Sequence, residues 1–296
     1  MELNSNNIRK LLIDLEICTE SSIKEYYPRV RDNDNISVLK CNKSGVIFLS
    51  DATHMNMEYY EQKNSFNYLV KGLERKHSKA VGAEDEERRA NQLKYLITNK
   101  KWLDVGTGGG GVLDLLSPYA SETHAVEPQS DFRNELIDLG YTMYRSIEDA
   151  EDQYYDVISL FHVLEHFTTP IESLKSIRNK LSERGKIFIE IPHARDFLIS
   201  FFELESFKAF TFWSEHIILH TRESVKAFLL EAGFNNIVVN NFQRYPLANH
   251  LHWLNKNKPG GHKEWPFLRS ELMDLEYSNM LKGLDMTDTL LITATK

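Results

Sequence analysis

Between Lys101 and Pro192 four apolar runs alternate with helix-like stretches, and this alternation limits the fold more than any other feature. The runs are "KWLDV" (101–105), "THAVEP" (123–128), "DVISLF" (156–161) and "GKIFIEIP" (185–192). Between them lie "GVLDLLSPYA", "SDFRNELIDLG" and "PIESLKSIRNKLSE"; the last has apolar residues at 171, 174, 177 and 181, the stripe of an amphipathic helix. Strands separated by helices pair in parallel and bury both faces. A further helix, "TRESVKAFLLEAG" (221–233), opens on a capping Thr and closes on Gly233, then feeds the strand "NNIVVNN". After a long excursion the chain ends on "DTLLITATK" (288–296). The pattern predicts an α/β fold with a Rossmann-like seven-stranded sheet, its last strand antiparallel, plus an insert over 241–287 before that strand.

The first 83 residues read as a small separate α+β module, with 84–296 as the main domain. "ISVLK" (36–40) and "GVIFLS" (45–50) form a predicted hairpin, and the chain looks helical from about 57 to 98. Within that helix, "EDEERRANQLKYLI" (84–97) is expected to carry its acids at its start.

The first sheet strand runs straight into "DVGTGGGG", five glycines within six positions at a strand-to-helix junction. Glycines there let a ligand touch the main chain and meet the amino end of a helix. A phosphate-binding P-loop needs Lys and Ser/Thr after its last glycine, and Val112-Leu113 stand there instead. A dinucleotide fingerprint is present as Gly106-x-Gly108-x-x-Gly111. Asp104 points elsewhere: with Gly106, Gly108 and Gly110 it gives D-x-G-x-G-x-G, and an acid there can accept from the ammonium group of S-adenosylmethionine. Glu127, ending the next strand, is placed for ribose hydroxyls under either reading.

With "LDVGTGGG", "AVEP", "YYDVISLFHVLEHF" and "FLLEAGF" in that order over residues 84–296, the sequence resembles the class I S-adenosylmethionine-dependent methyltransferases. The resemblance implies that Ser146, Ile147 and Glu148 border the adenine, and that Phe161 and His162 lie beneath the sulfonium end. The Asn/Asp-Pro-Pro-Tyr/Phe motif of many amino-group methyltransferases is missing, which disfavours adenine or glutamine as acceptor.

Methyl transfer to a hydroxyl or an enolisable carbon requires a base. The candidates are His216 first, in "FWSEHIILH", then His193 and His162, with His220 also in view. His162, Glu165 and His166 share one side of a helical turn. They resemble the E-x-x-E-H triad that binds a divalent metal in ubiquinone-pathway O-methyltransferases and small-RNA 3′-terminal 2′-O-methyltransferases. Many metal-free relatives carry "EH" here too, so a divalent metal is possible but not expected.

Cys18-x-x-Ser21 and Cys41-x-x-Ser44-Gly45 resemble zinc knuckles with half their cysteines replaced, a module that begins some bacterial sugar methyltransferases. Serine is a poor zinc ligand, so this module is expected to be zinc-free and to cover one side of the cleft, with "EYYPRV" and "MEYYEQ" as aromatic walls. In the insert, Arg244, Asn249, His250 and Trp253 suit a polyhydroxylated acceptor. Equally, "QRYPLANHLHWL" reads as a scaffold helix turning Leu247, Leu251 and Leu254 inward.

A net charge of −8 disfavours a broad nucleic-acid footprint. Two cysteines rule out a disulfide framework, and neither a signal peptide nor a membrane span is evident, so a cytoplasmic location is expected. The resemblance to surface-polysaccharide methyltransferases implies a small-molecule acceptor, a sugar or nucleotide-linked sugar, with O-methylation ahead of C-methylation. The rivals are a quinone or secondary-metabolite O-methyltransferase and a non-catalytic cofactor-binding partner protein. Oligomeric state is not indicated.

Overall fold

A computed structural model describes residues 7–55, Tyr59 and 75–296. The expected helix over 57–74 and the "MEYYEQ" wall, Tyr59 apart, lie outside the described residues.

Eleven strands form two sheets among the described residues: β1 (Ile23–Tyr27), β2 (Val38–Cys41), β3 (Ile47–Leu49), β4 (Lys101–Val105), β5 (Glu122–Val126), β6 (Thr142–Tyr144), β7 (Tyr155–Phe161), β8 (Leu181–Pro192), β9 (Ile218–Leu219), β10 (Asn235–Phe242) and β11 (Thr289–Thr295). The seven-stranded sheet has the order β10-β11-β8-β7-β4-β5-β6. Strands β6, β5, β4, β7 and β8 pair in parallel, whereas β11 runs antiparallel to both β8 and β10. This is the architecture that the alternating pattern predicts.

Alternate residues of each central strand enter opposite cores, as the pleat requires. Leu103, Val105, Ile158, Leu160, Ile187 and Ile189 pack with Leu174 and Ile177 of the helix Pro170–Lys180 and with Val225 and Phe228 of the helix Arg222–Glu231. Trp102, Val157 and Phe188 face the other way, onto Leu93 and Ile97 of the long helix Arg75–Ile97 and Leu113 and Leu116 of the helix Gly111–Leu116. Each fully buried aliphatic side chain contributes about 1.5–3 kcal/mol. Thr221 caps the helix Arg222–Glu231 by accepting from the Ser224 amide, and Gly233 closes it at φ +87°.

In the helix Arg75–Ile97 the acids at 84–87 stand in the middle, not at the start as the sequence suggests. Their role is therefore not to complement the helix dipole; Asp85 pairs across the site instead.

The four-stranded sheet, β1-β2-β3-β9, carries the amino-terminal segment, and β3 pairs with β9 through Ile47↔Leu219 and Phe48↔Ile218. The segment is thus fused to the main body through a strand drawn from beyond residue 84. Inside it, Cys41 Sγ lies 3.2 Å from Ser22 Oγ and Cys18 Sγ lies 3.8 Å from Ser44 Oγ, both cysteines buried and free. Ser22, not Ser21, completes this cluster; Ser21 Oγ faces Thr19.

Between β10 and β11 the insert forms helices at Leu247–Lys256, Gly261–Glu264 and Glu271–Gly283. The inward leucine stripe is overturned at two of its three positions: Leu251 and Leu254 are 38% and 40% exposed. The helix buries its other side, Ala248, Asn249, His252 and Trp253, because polar neighbours there satisfy one another. Asn249 Oδ1 accepts from the amides of Gly260 and Gly261, His252 bonds Lys258 O and Glu264, and Trp253 packs on Phe207 and Phe210. Among the described residues no helix is long and apolar enough to cross a membrane.

Candidate active site

At the carboxyl end of β4, Gly106, Gly108 and Gly110 have φ of +73°, +55° and +71°, a region costly to residues with a Cβ. Three of the glycines are filled from within the protein. A Cβ on Gly106 would lie 2.5 Å from Val163 Cγ2, one on Gly110 2.6 Å from Leu136 Cδ2, and one on Gly111 1.9 Å from Glu86 Cδ. Gly108 differs, for none of the described residues lies within 4 Å of its Cβ position. The open main-chain surface of the turn is there.

Around that surface stand polar groups that fit a nucleoside carrying a cation. Glu127 accepts from the Gly108 amide at 2.7 Å and from the Gln129 amide at 2.9 Å. Burial raises its carboxyl above the ordinary range, and the two amides act against that shift. Asp104 accepts from Ser159 Oγ at 2.6 Å, and burial pushes it up to about 6. A buried carboxylate of this kind is stabilised by a ligand ammonium. Among the described residues Gln129, only 4% exposed, has no hydrogen-bond partner for either end of its side-chain amide. Sequence reading passed it over, although it stands two residues after the strand-end acid. Ser146, Ile147 and Glu148 follow β6, whose Tyr144 carbonyl accepts from the Glu127 amide; Ser146 Oγ bonds Asp149, Ile147 packs on the core and Glu148 is exposed.

At the end of β7, Phe161 is buried beneath the Arg89 guanidinium, 5.1 Å from the ring centroid. His162 follows at φ +56°, a strained value for a non-glycine. Its Nδ1 is 3.1 Å from Glu165 Oε1, and its Nε2 is 3.3 Å from Glu190 Oε1 and 3.1 Å from Arg244 Nη1. Burial opposes the imidazolium, but Glu165 and Glu190 outweigh it and hold His162 above its usual pKa. Glu190 is wholly buried and is gripped by Arg88 at 2.7 and 3.0 Å and by Arg89 at 2.7 and 2.9 Å. Despite burial, these partners keep it ionised far below the usual range.

Arg244 closes this network. Its guanidinium bonds Asp85, and its backbone amide donates to Asp288. The four insert residues expected at an acceptor are thus engaged internally: Arg244 with Asp85, Asn249 with the glycine turn, His250 with Tyr277 at 2.6 Å, and Trp253 with its phenylalanines. One signal could have revealed the network beforehand: Glu190 is an acid inside the otherwise apolar strand "GKIFIEIP", opposite consecutive arginines on a helix.

The histidines separate by environment. His193 is buried, bonds Thr287 O at 3.0 Å and is depressed to about 4; His220 is buried against Ser224 and Phe228. His216 is only partly covered and stands 5.2 Å, ring to ring, from His166. Burial and the neighbouring His166 lower it to about 3, and Glu165 is lowered to about 2 by its histidine neighbours against the pull of burial. The structure groups Glu165 and His166 with His216, their donor atoms within 4.8 Å, whereas His162 turns to Glu190. Amino-terminal residues roof this corner: Arg31 lies over the Trp213 ring at 4.5 Å, Asp32 accepts from Ser214, and Tyr59 donates to Glu215 at 3.0 Å.

A family model described as a methyltransferase domain matches residues 80–239, more than half of the chain. The chain belongs to that family. It carries a methyltransferase domain, and the cradle of Gly108, Asp104, Glu127 and Gln129 fits S-adenosylmethionine. The ubiquinone/menaquinone biosynthesis C-methyltransferase UbiE of Chromobacterium violaceum is 28% identical over 139 residues, 40% of this chain and 57% of that protein. The chain thus spans little more than half the length of that curated relative. A solved S-adenosylmethionine-dependent methyltransferase from Archaeoglobus fulgidus superposes with a TM-score of 0.50 at 20% identity, covering 71% of this chain and 94% of that one. A possible histamine N-methyltransferase from Thermotoga maritima gives 0.50 at 16% identity, covering 75% and 93%. These two likenesses concern the fold.

Proposed function

We propose that this methyltransferase acts on a hydroxyl, or in second place an enolisable carbon, of a small polyhydroxylated acceptor, a sugar or nucleotide-linked sugar of a surface glycan. The observation that carries the reading is the partly exposed Glu165–His166–His216 cluster beside the glycine cradle, linked to it through Val163, which abuts Gly106. S-adenosylmethionine supplies an electrophilic methyl group on a sulfonium. The chain must then align the acceptor, exclude water and remove its proton. His216 sits in that cluster and is partly exposed, while His193 is sealed in the interior.

Polar and aromatic groups at the roof, Trp213, Arg31 and Asp32, suit a polyol better than a lipid. The amino-terminal segment is read as a zinc-knuckle derivative that keeps its place through core packing and covers this side. A quinone-type C-methylation is the second reading, favoured by the similarity to UbiE. Methyl transfer from labelled S-adenosylmethionine to a panel of nucleotide sugars and quinone precursors tests both. Turnover with a sugar that His216→Ala removes, while calorimetry still records cofactor binding, is the expected result. Undiminished turnover in His216→Ala would reject the role given to His216, and activity confined to quinone precursors would reject the sugar reading.

A further inference from the structure

Two loops far apart in sequence meet beyond the end of β7. Ile217 N donates to Glu165 O at 2.9 Å, and that single main-chain bond sets His216 beside Glu165 and His166. Glu165 is fully buried; Oε1 faces His162 Nδ1 at 3.1 Å, while Oε2 has no hydrogen-bond partner among the described residues. His216 Nδ1 is likewise buried and has no hydrogen-bond partner among the described residues. A carboxylate oxygen left bare in a protein interior is costly, and a structure that retains one is expected to complete it with water or an ion.

We propose that Glu165, His166 and His216 hold a divalent first-row transition cation whose remaining positions open toward the acceptor. Two imidazoles and one carboxylate suit Mn²⁺, Fe²⁺, Co²⁺ or Zn²⁺ better than Mg²⁺. Three protein ligands leave room for outside oxygens, as catalytic sites require. Because His166 and His216 are both partly exposed, the open side is the solvent side. His162, holding Oε1, orients the carboxylate so that Oε2 faces the cation. The donors already lie within 4.8 Å of one another, and small side-chain rotations close the set.

The proposal deepens the small-acceptor methyltransferase reading and rests on it. An acceptor hydroxyl on the cation loses its proton to water more readily, because the cation stabilises the oxygen anion. The oxygen lone pair then forms the O–CH₃ bond as the C–S bond breaks and its electron pair stays on sulfur. His216 serves deprotonation here as a ligand, so its loss abolishes turnover either way; cation binding is the separate readout.

Protein made without an affinity tag and stripped with chelator is titrated with Mn²⁺, followed by electron paramagnetic resonance, and with Co²⁺, followed by visible absorption. One saturable site is expected, weakened at least about tenfold in both Glu165→Gln and His216→Gln, and unchanged in His193→Gln. Should Glu165→Gln fail to fold, His216→Gln, on the exposed side, carries the test, with circular dichroism as the check on folding. No saturable site, or one that survives the His216 substitution, overturns the proposal. Calorimetry with S-adenosylmethionine on the stripped protein keeps the two claims apart. Cofactor binding without cation binding removes the cation alone, whereas no cofactor binding removes the reading beneath it.

Discussion

Gly108→Ala tests whether the open turn is where the cofactor lies. The backbone there has φ +55°, and none of the described residues stands within 4 Å of the added Cβ, so the cost to folding is that of the left-handed conformation. That is about 1–2 kcal/mol, which for a chain of this size lowers the melting temperature by about 2–6 °C. The methyl group would project from the face that meets the ligand, and forcing a methyl into a packed contact costs about 1–3 kcal/mol. Affinity for S-adenosylmethionine should therefore fall by about one to two orders of magnitude. Gly140→Ala is the matched control, with φ +91° and equally open surroundings, and it should melt similarly while binding normally. Gly110→Ala, whose Cβ meets Leu136 at 2.6 Å, should lose more stability than either. Differential scanning fluorimetry and calorimetry on the three variants decide the matter. Wild-type affinity in Gly108→Ala would place the cofactor elsewhere.

Three further outcomes follow from the same geometry. Glu190→Gln leaves Arg88, Arg89 and His162 facing a neutral amide, and breaking a buried charge cluster on one side costs about 3–5 kcal/mol, readable as a drop in urea midpoint. Since burial pushes Asp104 up to about 6, affinity for S-adenosylmethionine should weaken about tenfold between pH 7 and pH 5, with a smaller change in Asp104→Asn; a pH-independent wild type would exclude that carboxylate as the ammonium's partner. Asp196 is raised to about 8 by burial and by the charge of Asp288. Its folded-state pKa exceeds its unfolded one, so its contribution is complete below about pH 4 and is lost as pH rises through about 8. Asp196→Asn keeps an oxygen for the Leu198 amide and cannot ionise, so its melting temperature should fall less than the wild type's from about pH 7 to pH 9.

The sheet and the glycine turn were legible because both are written in short-range periodicity. Strands β4, β5, β7 and β8 are apolar runs bounded by helical stripes, and the left-handed turn needs glycine at fixed spacing, so a local reading suffices. Even Thr221 and Gly233 reveal the ends of their helix by residue type alone. The insert shows where that reading stops. Its leucines have helical spacing, yet Leu251 and Leu254 face outward, because the opposite side finds partners in Gly260, Gly261, Glu264 and Phe207.

What the sequence determined, then, is the seven-stranded α/β sheet and the left-handed glycine turn after β4. Only the tertiary structure decided which charges meet there. Asp85 reaches Arg244 across 159 positions, Arg88 reaches Glu190 across 102, and His216 arrives beside Glu165 through a main-chain bond from the next residue. A charged side chain carries no mark of its partner in the sequence. Strand order brings the partners together, and burial then makes each pairing too costly to leave unmet.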